Sequence, residues 1–215
     1  MRLLDLYCGA GMAADGYRQA GFDVIRGIDI NRQKHYPYDF RTDDALEVLA
    51  SDEPEEFDAI HASPPCQLHT QAQHLREAQG KDSRYLDFLT PTVELLREKW
   101  AHKVWVVENV PGAPGMDAAA IECGSAYGLG VRRHRLFLSN LLLFSSGCDH
   151  ERQGRPWGVY HRLGDSIPDG GRTAETIEQA REVMGVDRPI PFSALKEGFP
   201  PHYTRHVGEQ IASVL

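Results

Sequence analysis

The feature that most constrains the fold is the start of the chain, where an apolar segment runs into two glycines and a short helical pattern. Residues 1–7 alternate and then become apolar, as a buried strand does, and Gly9 and Gly11 mark a tight turn. Residues 12–20 follow as a helix, and residues 23–30 as a second strand that ends in an acid. This order opens a doubly wound sheet, so we predict an α/β fold with a mainly parallel, Rossmann-like sheet.

The same alternation continues to about residue 145 and then weakens into a Gly-, Arg- and His-rich stretch with one strand candidate at 157–163. Further strands are predicted at 58–63, 103–110 and 135–140. Helices are predicted at 44–50, 85–99, 116–128, 173–184 with Thr173 as the N-cap, 192–198 and 205–215. We therefore divide the chain into a core domain at 1–140, a small C-terminal region at 141–204 and a terminal helix at 205–215 that packs back on the core.

Length and composition exclude several classes of protein. A chain of 215 residues with 41% hydrophobic residues suits one folded domain. No purely apolar run exceeds four residues, and the first residues lack the long apolar region of a signal peptide. We therefore expect a cytoplasmic protein that does not interact with membranes. The sequence does not determine the oligomeric state, and a monomer is the default expectation.

The four cysteines form no C-x-x-C pair, which argues against a disulfide framework and a zinc ribbon. Cys148, His150 and His161 suggest a metal site, but no fourth ligand stands at a suitable spacing. A surface loop is therefore favoured there, and no metal is expected.

The net charge of −8 is unevenly distributed. Residues 41–60 hold eight acidic residues and one arginine, a pattern best explained by a solvated surface. Residues 131–163 hold six arginines and two acidic residues, so this part of the chain can face phosphates. Arg152 and Arg155 are the candidate phosphate contacts.

Polar or reactive residues stand where the predicted strands end. The G-x-G turn lets the backbone approach a ligand closely, and Asp29 follows Gly11 at a spacing that suits a carboxylate on a ribose diol. Alone this is a weak signal, because tight turns of this kind are common in α/β proteins. Cys66 adds to it, because Pro64 and Pro65 fix a thiol at the ligand-binding edge of the sheet, which favours a nucleophile.

Two charged segments complete the candidate site. Glu108 ends an apolar strand, where burial raises the pKa of a carboxyl group and suits it to donate a proton. Arg133 and Arg135 alternate before the strand at 135–140, so in an extended chain they point to one side and can grip an anion or a carbonyl oxygen. For Arg132 a basic surface position is favoured.

Four segments together resemble the DNA (cytosine-5)-methyltransferase family, as a short phage- or bacterial-type member with a reduced target-recognition region. DLYCGAG is similar to the family's cofactor motif, with Met12 where a second Gly is usual, and ASPPCQ is similar to its catalytic motif. VVENV resembles its ENV motif, and YGLGVRRHRLF its Q-x-R-x-R motif with Val131 in place of Gln. Their order and spacing also fit, and the resemblance covers residues 1–140 well.

The resemblance implies a Rossmann-like methyltransferase sheet and S-adenosylmethionine-dependent methylation of C5 of cytosine in DNA. Cys66 would attack C6 of a flipped-out cytosine, Glu108 would protonate or hydrogen-bond N3, and Arg135 together with Arg133 would hold O2. Asp29 would bind the ribose, Ile30 would pack on adenine, and Asp44 or Asp43 would accept from the adenine amine. Further cofactor contacts are implied for Asp5, Tyr7, Gly9, Ala10, Gly11 and Pro65, and DNA contacts for Gln67 and Thr70.

Two other functions remain open from the sequence. The small C-terminal region makes methylation of RNA or of a free nucleotide conceivable, although the Cys-Phe-Thr tripeptide usual in the RNA-acting branch is absent. A non-catalytic DNA-binding module with the same fold is the other alternative. The presence of Cys66, Glu108 and Arg135 argues against that module.

Overall fold

The computed structural model describes residues 1–66, 86–160, 162–165 and 172–215. Its centre is a seven-stranded sheet with the strand order β3-β2-β1-β4-β5-β7-β6. The strands are β1 (Arg2–Leu6), β2 (Val24–Asp29), β3 (Asp39–Thr42), β4 (Ala59–Ala62), β5 (Val104–Asn109), β6 (Ala120–Glu122) and β7 (Arg135–Ser139). The strand at 39–42 was not predicted from the sequence.

The five strands from β3 to β5 are parallel, and β7 runs antiparallel to β5 and to β6. The predicted mainly parallel α/β sheet is therefore confirmed. β1 is central, and its side chains are buried on both faces from Leu3 to Leu6. The carboxyl ends of β1, β2, β4 and β5 consequently lie side by side at one edge, where ligands bind in open α/β sheets.

Helices cover both faces of the sheet and build the C-terminal region. They are α1 (Met12–Gln19), α2 (Ala45–Ala50), α3 (Leu89–Glu98), α4 (His150–Gln153), α5 (Ile177–Met184), α6 (Phe192–Glu197) and α7 (Pro201–Ala212). Short 3₁₀ helices occupy Glu53–Glu56 and Gly124–Tyr127. No helix in the described ranges is both long and apolar enough to span a membrane.

The apolar core is divided by the sheet. Leu4 and Leu6 pack with α2 and α3 on one face, whereas Leu3 packs with α1 and α7 on the other. A third cluster, which includes Val159 and Met184, forms the core of the C-terminal region. The side chains of β1 thus alternate between the two layers, as expected for a strand covered on both faces.

Helix α7 packs directly against α1 because both helices carry glycine at the contact. A Cβ atom on Gly16 would lie 2.2 Å from Thr204 Oγ1, and one on Gly208 would lie 3.0 Å from Tyr17 Cδ1. Thr204 donates a hydrogen bond to the carbonyl of Ala13. The helix begins at Pro201, four residues before the predicted start, and seats the end of the chain on the first βαβ unit.

The predicted helix at 116–128 is wrong. The segment forms β6, which pairs with β7, followed by the 3₁₀ helix, which ends at Gly128 with a left-handed φ of 70°. The free edge of β7 offers backbone partners to β6. The glycines then prevent a longer helix, because Gly128 closes the turn in a conformation that other residues rarely adopt.

The predicted N-cap at Thr173 is also wrong. Arg172–Thr173 forms strand β9, which pairs in parallel with β8 (Trp157–Gly158). Thr176 caps α5 instead, where its hydroxyl accepts a hydrogen bond from the backbone N–H of Gln179 at 3.1 Å. Thr173 is therefore drawn into the pairing with β8, and the helix starts at Ile177, four residues later than predicted.

Candidate active site

A cavity of about 380 Å³ opens at the carboxyl edge of the parallel strands. The sequence-predicted residues that line it are Asp5, Tyr7, Gly9, Ala10, Asp29, Ile30, Asp44, Pro65, Cys66, Glu108 and Arg135. One end is built from the turn after β1 and the end of β2, and the other from the ends of β4 and β5. The fold thus brings Asp29, an acid placed to bind a ribose, and the Cys66 thiol into one pocket.

Asp29 is fixed by backbone donors on two sides. Gly9 N–H donates to Oδ2 at 3.1 Å, and Asn31 N–H donates to Oδ1 at 2.9 Å. Each carboxylate oxygen keeps a second lone pair for a ligand hydroxyl. Ile30 beside it is 65% exposed, so an apolar side chain stands open at this end of the cavity.

Gly11 supports the turn from behind and does not line the cavity. Its φ is 82°, and a Cβ atom there would lie 2.8 Å from Pro37 Cδ and 2.9 Å from Tyr36 Cδ2. Any larger residue would therefore displace the Tyr36 ring in addition to straining the backbone. Gly11 has a packing role, and the predicted cofactor contact through it stays a prediction.

Asp44 and Asp43 have different surroundings. Asp44 is the N-cap of α2, and its Oδ1 accepts from Leu46 N–H at 2.8 Å, while its side chain lines the cavity. Asp43 forms an ion pair with Arg41 at 2.9 Å and is not a lining residue. The geometry favours Asp44 over Asp43 as the acid that faces a ligand.

Asp5 is buried, and only one of its two carboxyl oxygens has a hydrogen-bond partner among the described residues. Tyr36 donates to Oδ2 at 3.0 Å, whereas Oδ1 has no hydrogen-bond partner in the described structure. Burial raises the pKa of Asp5 from 3.8 to about 8, and the neighbouring charges of Asp15 and Asp29 add to this rise. At neutral pH Asp5 is therefore a protonated carboxyl group at the cavity wall, and its unpaired oxygen can hydrogen-bond a polar group of a ligand.

An aromatic wall closes the side of the cavity next to β4. Tyr7 has a left-handed backbone with φ 55°, and its hydroxyl contacts Thr92 Oγ1 at 2.9 Å. Its ring lies 6.3 Å from that of Phe88, centroid to centroid. Thr92 donates its own proton to the carbonyl of Phe88, so Tyr7 is the donor to Thr92 and its ring is held in place.

Cys66, Glu108 and Arg135 meet at the opposite end of the cavity. Asn109 Nδ2 donates to the carbonyl of Pro64 at 3.2 Å, which ties the segment that carries Cys66 to the end of β5. Arg135 Nε donates to Glu108 Oε1 at 2.9 Å. A thiol, a carboxyl group and a guanidinium therefore share one wall.

The environment favours protonated forms of both the carboxyl and the thiol. Burial raises the pKa of Glu108, and the nearby positive charge of Arg135 opposes that rise. Burial also raises the pKa of Cys66, the charge of Glu108 raises it further, and Arg135 lowers it. A proton on Glu108 removes the charge that disfavours the thiolate, so protonated Glu108 and ionised Cys66 stabilise each other.

A chain of buried polar groups runs from α1 to Glu108. Tyr17 OH lies 3.0 Å from His61 Nδ1, His61 Nε2 lies 2.8 Å from Ser63 Oγ, and Ser63 hydrogen-bonds Glu108. Burial lowers the pKa of His61 to about 3, so its ring is neutral. When Ser63 donates to the Glu108 carboxylate, His61 must donate from Nε2 and accept from Tyr17 at Nδ1. The chain orients Ser63 towards Glu108.

Arg133 does not line the cavity, contrary to the predicted pairing with Arg135. Its φ of 37° breaks the extended chain on which the alternation argument rested. The buried guanidinium donates to the carbonyl of Leu195 at 2.8 Å and to that of Lys196. Arg133 therefore anchors α6 behind the site.

Arg152 and Arg155 are exposed and line a separate hollow beside α4. No ion pair to either guanidinium is present among the residues that the structure describes. Arg132 holds this segment through bonds to Gln153 Oε1 and to the carbonyl of Gly154. The predicted contacts Gln67 and Thr70 lie outside the described residues.

Sequence reasoning missed the contribution of the C-terminal region to the cavity. Glu197, Gly198 and Phe199 line it, and the Met12 Cε atom occupies the place that a Cβ on Gly198 would take. Arg188 Nε pairs with Asp15 at 2.7 Å, and another of its nitrogens donates to the carbonyl of Ala10. One sequence signal was available. Met12 stands where glycine is usual in the motif, and its long side chain needs a packing partner, which Gly198 of the C-terminal region supplies.

Comparison with known proteins adds a sequence family and a fold. A family profile described as C-5 cytosine-specific DNA methylase matches residues 1–121, more than half of the chain. The type II methyltransferase M.AgeI of Thalassovita gelatinovora is 24% identical over 135 residues, which cover 56% of this chain and 30% of that protein. M.NgoPII of Neisseria gonorrhoeae is 25% identical over 158 residues, covering 70% and 40% respectively. The chain thus spans less than half the length of either relative.

Among solved structures, the Entamoeba histolytica methyltransferase EhMeth is similar over the whole chain. The TM-score is 0.63 at 11% sequence identity, with 100% of this chain and 98% of that chain covered. At this identity the likeness concerns the fold. It extends beyond residue 121, so the C-terminal region also belongs to the shared architecture.

Proposed function

Because the chain belongs to the C-5 cytosine-specific DNA methylase family, we propose that it transfers a methyl group from S-adenosylmethionine to C5 of cytosine in DNA through a covalent bond to Cys66. The observation that carries the proposal is the shared cavity. Its one end presents Asp29 and exposed Ile30, and its other end presents Cys66 with Glu108 and Arg135. A methyl donor and an acceptor base can therefore meet in one enclosed space.

The residues at the first end fit an S-adenosyl compound. Asp29 offers lone pairs to ribose hydroxyls, Ile30 an apolar surface to adenine, and Asp44 an acceptor to the adenine amine. The ammonium group of the methionine portion would lie near Asp5, whose Oδ1 has no partner among the described residues, and its charge would favour the carboxylate over the protonated form that burial favours. When bound, the cofactor supplies an electrophilic methyl group.

The residues at the second end supply the chemistry on the base. The Cys66 thiolate attacks C6, and the electron pair of the C5–C6 double bond shifts to C5 as Glu108 gives its proton to N3. C5 would then take the methyl group as the bond from that methyl to the sulfonium sulfur breaks, and the thioether S-adenosylhomocysteine is the leaving group. A solvent water takes the proton from C5, the C5–C6 double bond re-forms as the bond from the Cys66 sulfur to C6 breaks, and the N3 proton returns to Glu108.

Arg135 holds this assembly in position. Its bond to Glu108 fixes the carboxyl group, and its charge lowers the pKa of the Cys66 thiol. The remaining guanidinium N–H groups can donate to the O2 atom of cytosine. Such preorganised donors stabilise charge that develops on the base during attack.

Cys66 lines a cavity and not an open face of the protein, so the target cytosine must leave the duplex to reach it. A duplex with 5-fluorocytosine at the target tests the proposed covalent bond between Cys66 and C6. Fluorine at C5 cannot leave as a proton does, so the reaction stops at the covalent adduct. The expected result is a protein–DNA adduct that survives denaturing electrophoresis and requires the methyl donor. Cys66→Ser is expected to abolish it, because a hydroxyl is a far weaker nucleophile than a thiolate.

The control for Cys66→Ser is cofactor binding. The variant is expected to keep the rise in melting temperature on adding S-adenosylhomocysteine, since Cys66 lies at the other end of the cavity. Adduct formation by folded Cys66→Ser would overturn the proposed nucleophile. Turnover of RNA or free dCMP without turnover of DNA would favour the other substrate classes.

DNA is the proposed partner, with Arg152 and Arg155 as phosphate contacts. DNA affinity should then fall steeply with salt, despite the net charge of −8, because counterions are released on binding. Reversal of both arginines to glutamate should weaken DNA binding and flatten the salt dependence. Arg97→Glu, on the exposed side of α3, reverses one charge elsewhere on the surface and is the control for the single variants Arg152→Glu and Arg155→Glu. A salt dependence unchanged by the double reversal would contradict these contacts.

A further inference from the structure

Four metal-ligating side chains that are scattered in the sequence meet at one place away from the cavity. The ligand atoms of Cys123, His134, Cys148 and His150 all lie within 4.8 Å of one another. Cys123 Sγ is 3.3 Å from His150 Nε2, and His134 Nε2 is 3.3 Å from Cys148 Sγ. The expectation of no metal rested on sequence spacing, and the fold supplies the missing ligands from separate segments.

We propose that these four residues bind one zinc ion in a structural Cys₂His₂ site. Two thiolates and two imidazoles are a set that zinc prefers, and the charges of the thiolates balance that of the ion. Four protein ligands complete a tetrahedron and leave no open position for substrate. The site therefore serves stability and not catalysis.

The observed geometry is close to what the ion needs. Bonds of about 2.3 Å to sulfur and about 2.0–2.1 Å to nitrogen place tetrahedral sulfur and nitrogen ligands roughly 3.5 Å apart. Both measured sulfur–nitrogen separations are 3.3 Å. Small rotations of the side chains suffice to receive the ion.

Groups around the cluster hold the ligand-bearing segments together. Ser125 Oγ lies 3.1 Å from Cys123 Sγ and accepts from the backbone N–H of Asp149 at 2.9 Å. Gly124 N–H donates to the carbonyl of Arg132 at 2.8 Å. Such outer contacts orient metal ligands, and here they join the segment after β6, Arg132 in the segment before β7 and the start of α4.

The accessibility of the cluster suits a site that can be loaded. Cys123 is buried, His134 and His150 are half-buried, and Cys148 is exposed. An ion can therefore enter from the Cys148 side and become enclosed on the Cys123 side. Chelators can reach it by the same route.

The proposed zinc links two parts of the molecule that the reaction uses. His134 precedes Arg135, whose Nη1 donates to the His134 carbonyl at 2.8 Å. His150 begins α4, the helix that carries Arg152. Metal binding would fix the segment with the predicted DNA contacts to the strand that carries Arg135.

Metal analysis of the protein purified without chelator tests the proposal. We expect one zinc per chain, and a markedly reduced content in Cys148→Ser and in His150→Gln. Cys66→Ser and His102→Gln are the matched controls, since neither residue belongs to the cluster, and both should keep full zinc content. Because Cys66→Ser cannot form the DNA adduct, zinc retention in it separates this proposal from the proposed methyl transfer.

Cobalt substitution gives a second test that needs no variant. Cobalt(II) in place of zinc should show thiolate charge-transfer absorption and the intense visible bands of a tetrahedral site. Removal of zinc by a chelator should lower the melting temperature of the wild type but not of Cys148→Ser. Metal-free wild-type protein that takes up neither zinc nor cobalt, or a disulfide between Cys123 and Cys148 in freshly purified protein, would overturn the site.

Discussion

Arg135 donates from Nε to Oε1 of Glu108 across 2.9 Å, and both side chains are almost completely shielded from solvent. The antiparallel pairing of β7 with β5 produces this contact. Glu108 stands opposite Phe137 in the register, so Arg135, two residues away on the same face, reaches back to the carboxyl group. The antiparallel strand β7 therefore places the Arg135 cation at the carboxyl end of the parallel strand β5.

We expect Glu108→Gln to slow adduct formation with the 5-fluorocytosine duplex by about 10²-fold or more, the usual contribution of a general acid. The amide keeps a hydrogen-bond acceptor for Arg135 but has no acidic proton for N3. Single-turnover trapping measures the rate. Glu94→Gln, an exposed change on α3, should leave it unchanged. Equal rates for Glu108→Gln and wild type would exclude Glu108 as the proton donor.

Asp29→Ala should weaken binding of S-adenosylhomocysteine by about 1.5–3 kcal/mol, because the ribose hydroxyls lose a charged acceptor. Titration calorimetry measures the affinity. Asp23→Ala removes an exposed carboxylate that pairs with the chain's first amino group, and it should bind like wild type. The assignment fails if the two variants bind equally well.

Asp5 should make the wild-type protein less stable as pH rises. The folded protein holds the Asp5 proton up to about pH 8, whereas the unfolded chain releases it near 3.8. Between these values the folded state binds more protons, so the free energy of unfolding falls with increasing pH. This contribution is complete below 3.8 and is lost as pH rises through about 8.

Asp5→Asn removes the titration, so its stability relative to wild type should increase as pH rises through the same interval. Urea unfolding at a series of pH values measures this difference. Asp23→Asn, an exposed position, should follow the wild-type curve. Parallel curves for Asp5→Asn and wild type would show that Asp5 titrates normally.

Arg133→Lys should lower the free energy of unfolding by about 1.5–3 kcal/mol, since lysine cannot serve the carbonyls of both Leu195 and Lys196. Arg155→Lys, at an exposed site, should cost little. Chemical denaturation gives both values. Loss of adduct formation at unchanged stability would instead place Arg133 among the groups that contact the base.

Local patterns predicted the parts of the site that sit at strand ends. Asp29, Cys66 and Glu108 each follow an apolar strand, and parallel strands deliver their carboxyl ends to one edge. The helix predicted at 116–128 is absent because part of this segment forms β6. The backbone of β6 hydrogen-bonds to β7, a strand that comes later in the sequence. The helix predicted at 173–184 is present from Ile177 to Met184, and only its start was wrong, since Thr173 pairs with β8 instead.

The sequence by itself determined the first βαβ unit, the strands β4, β5 and β7, the turn at Gly9 and the positions of the thiol and carboxyl groups, because these depend on local periodicity and backbone chemistry. Tertiary structure alone decided that Arg135 faces Glu108 while Arg133 faces α6, that Arg188 clamps the turn at Ala10, and that Cys123 and His150 become neighbours. These contacts join residues from separate segments, and their geometry is set by how helices and strands pack. The spacing of residues along the chain does not predict contacts of this kind.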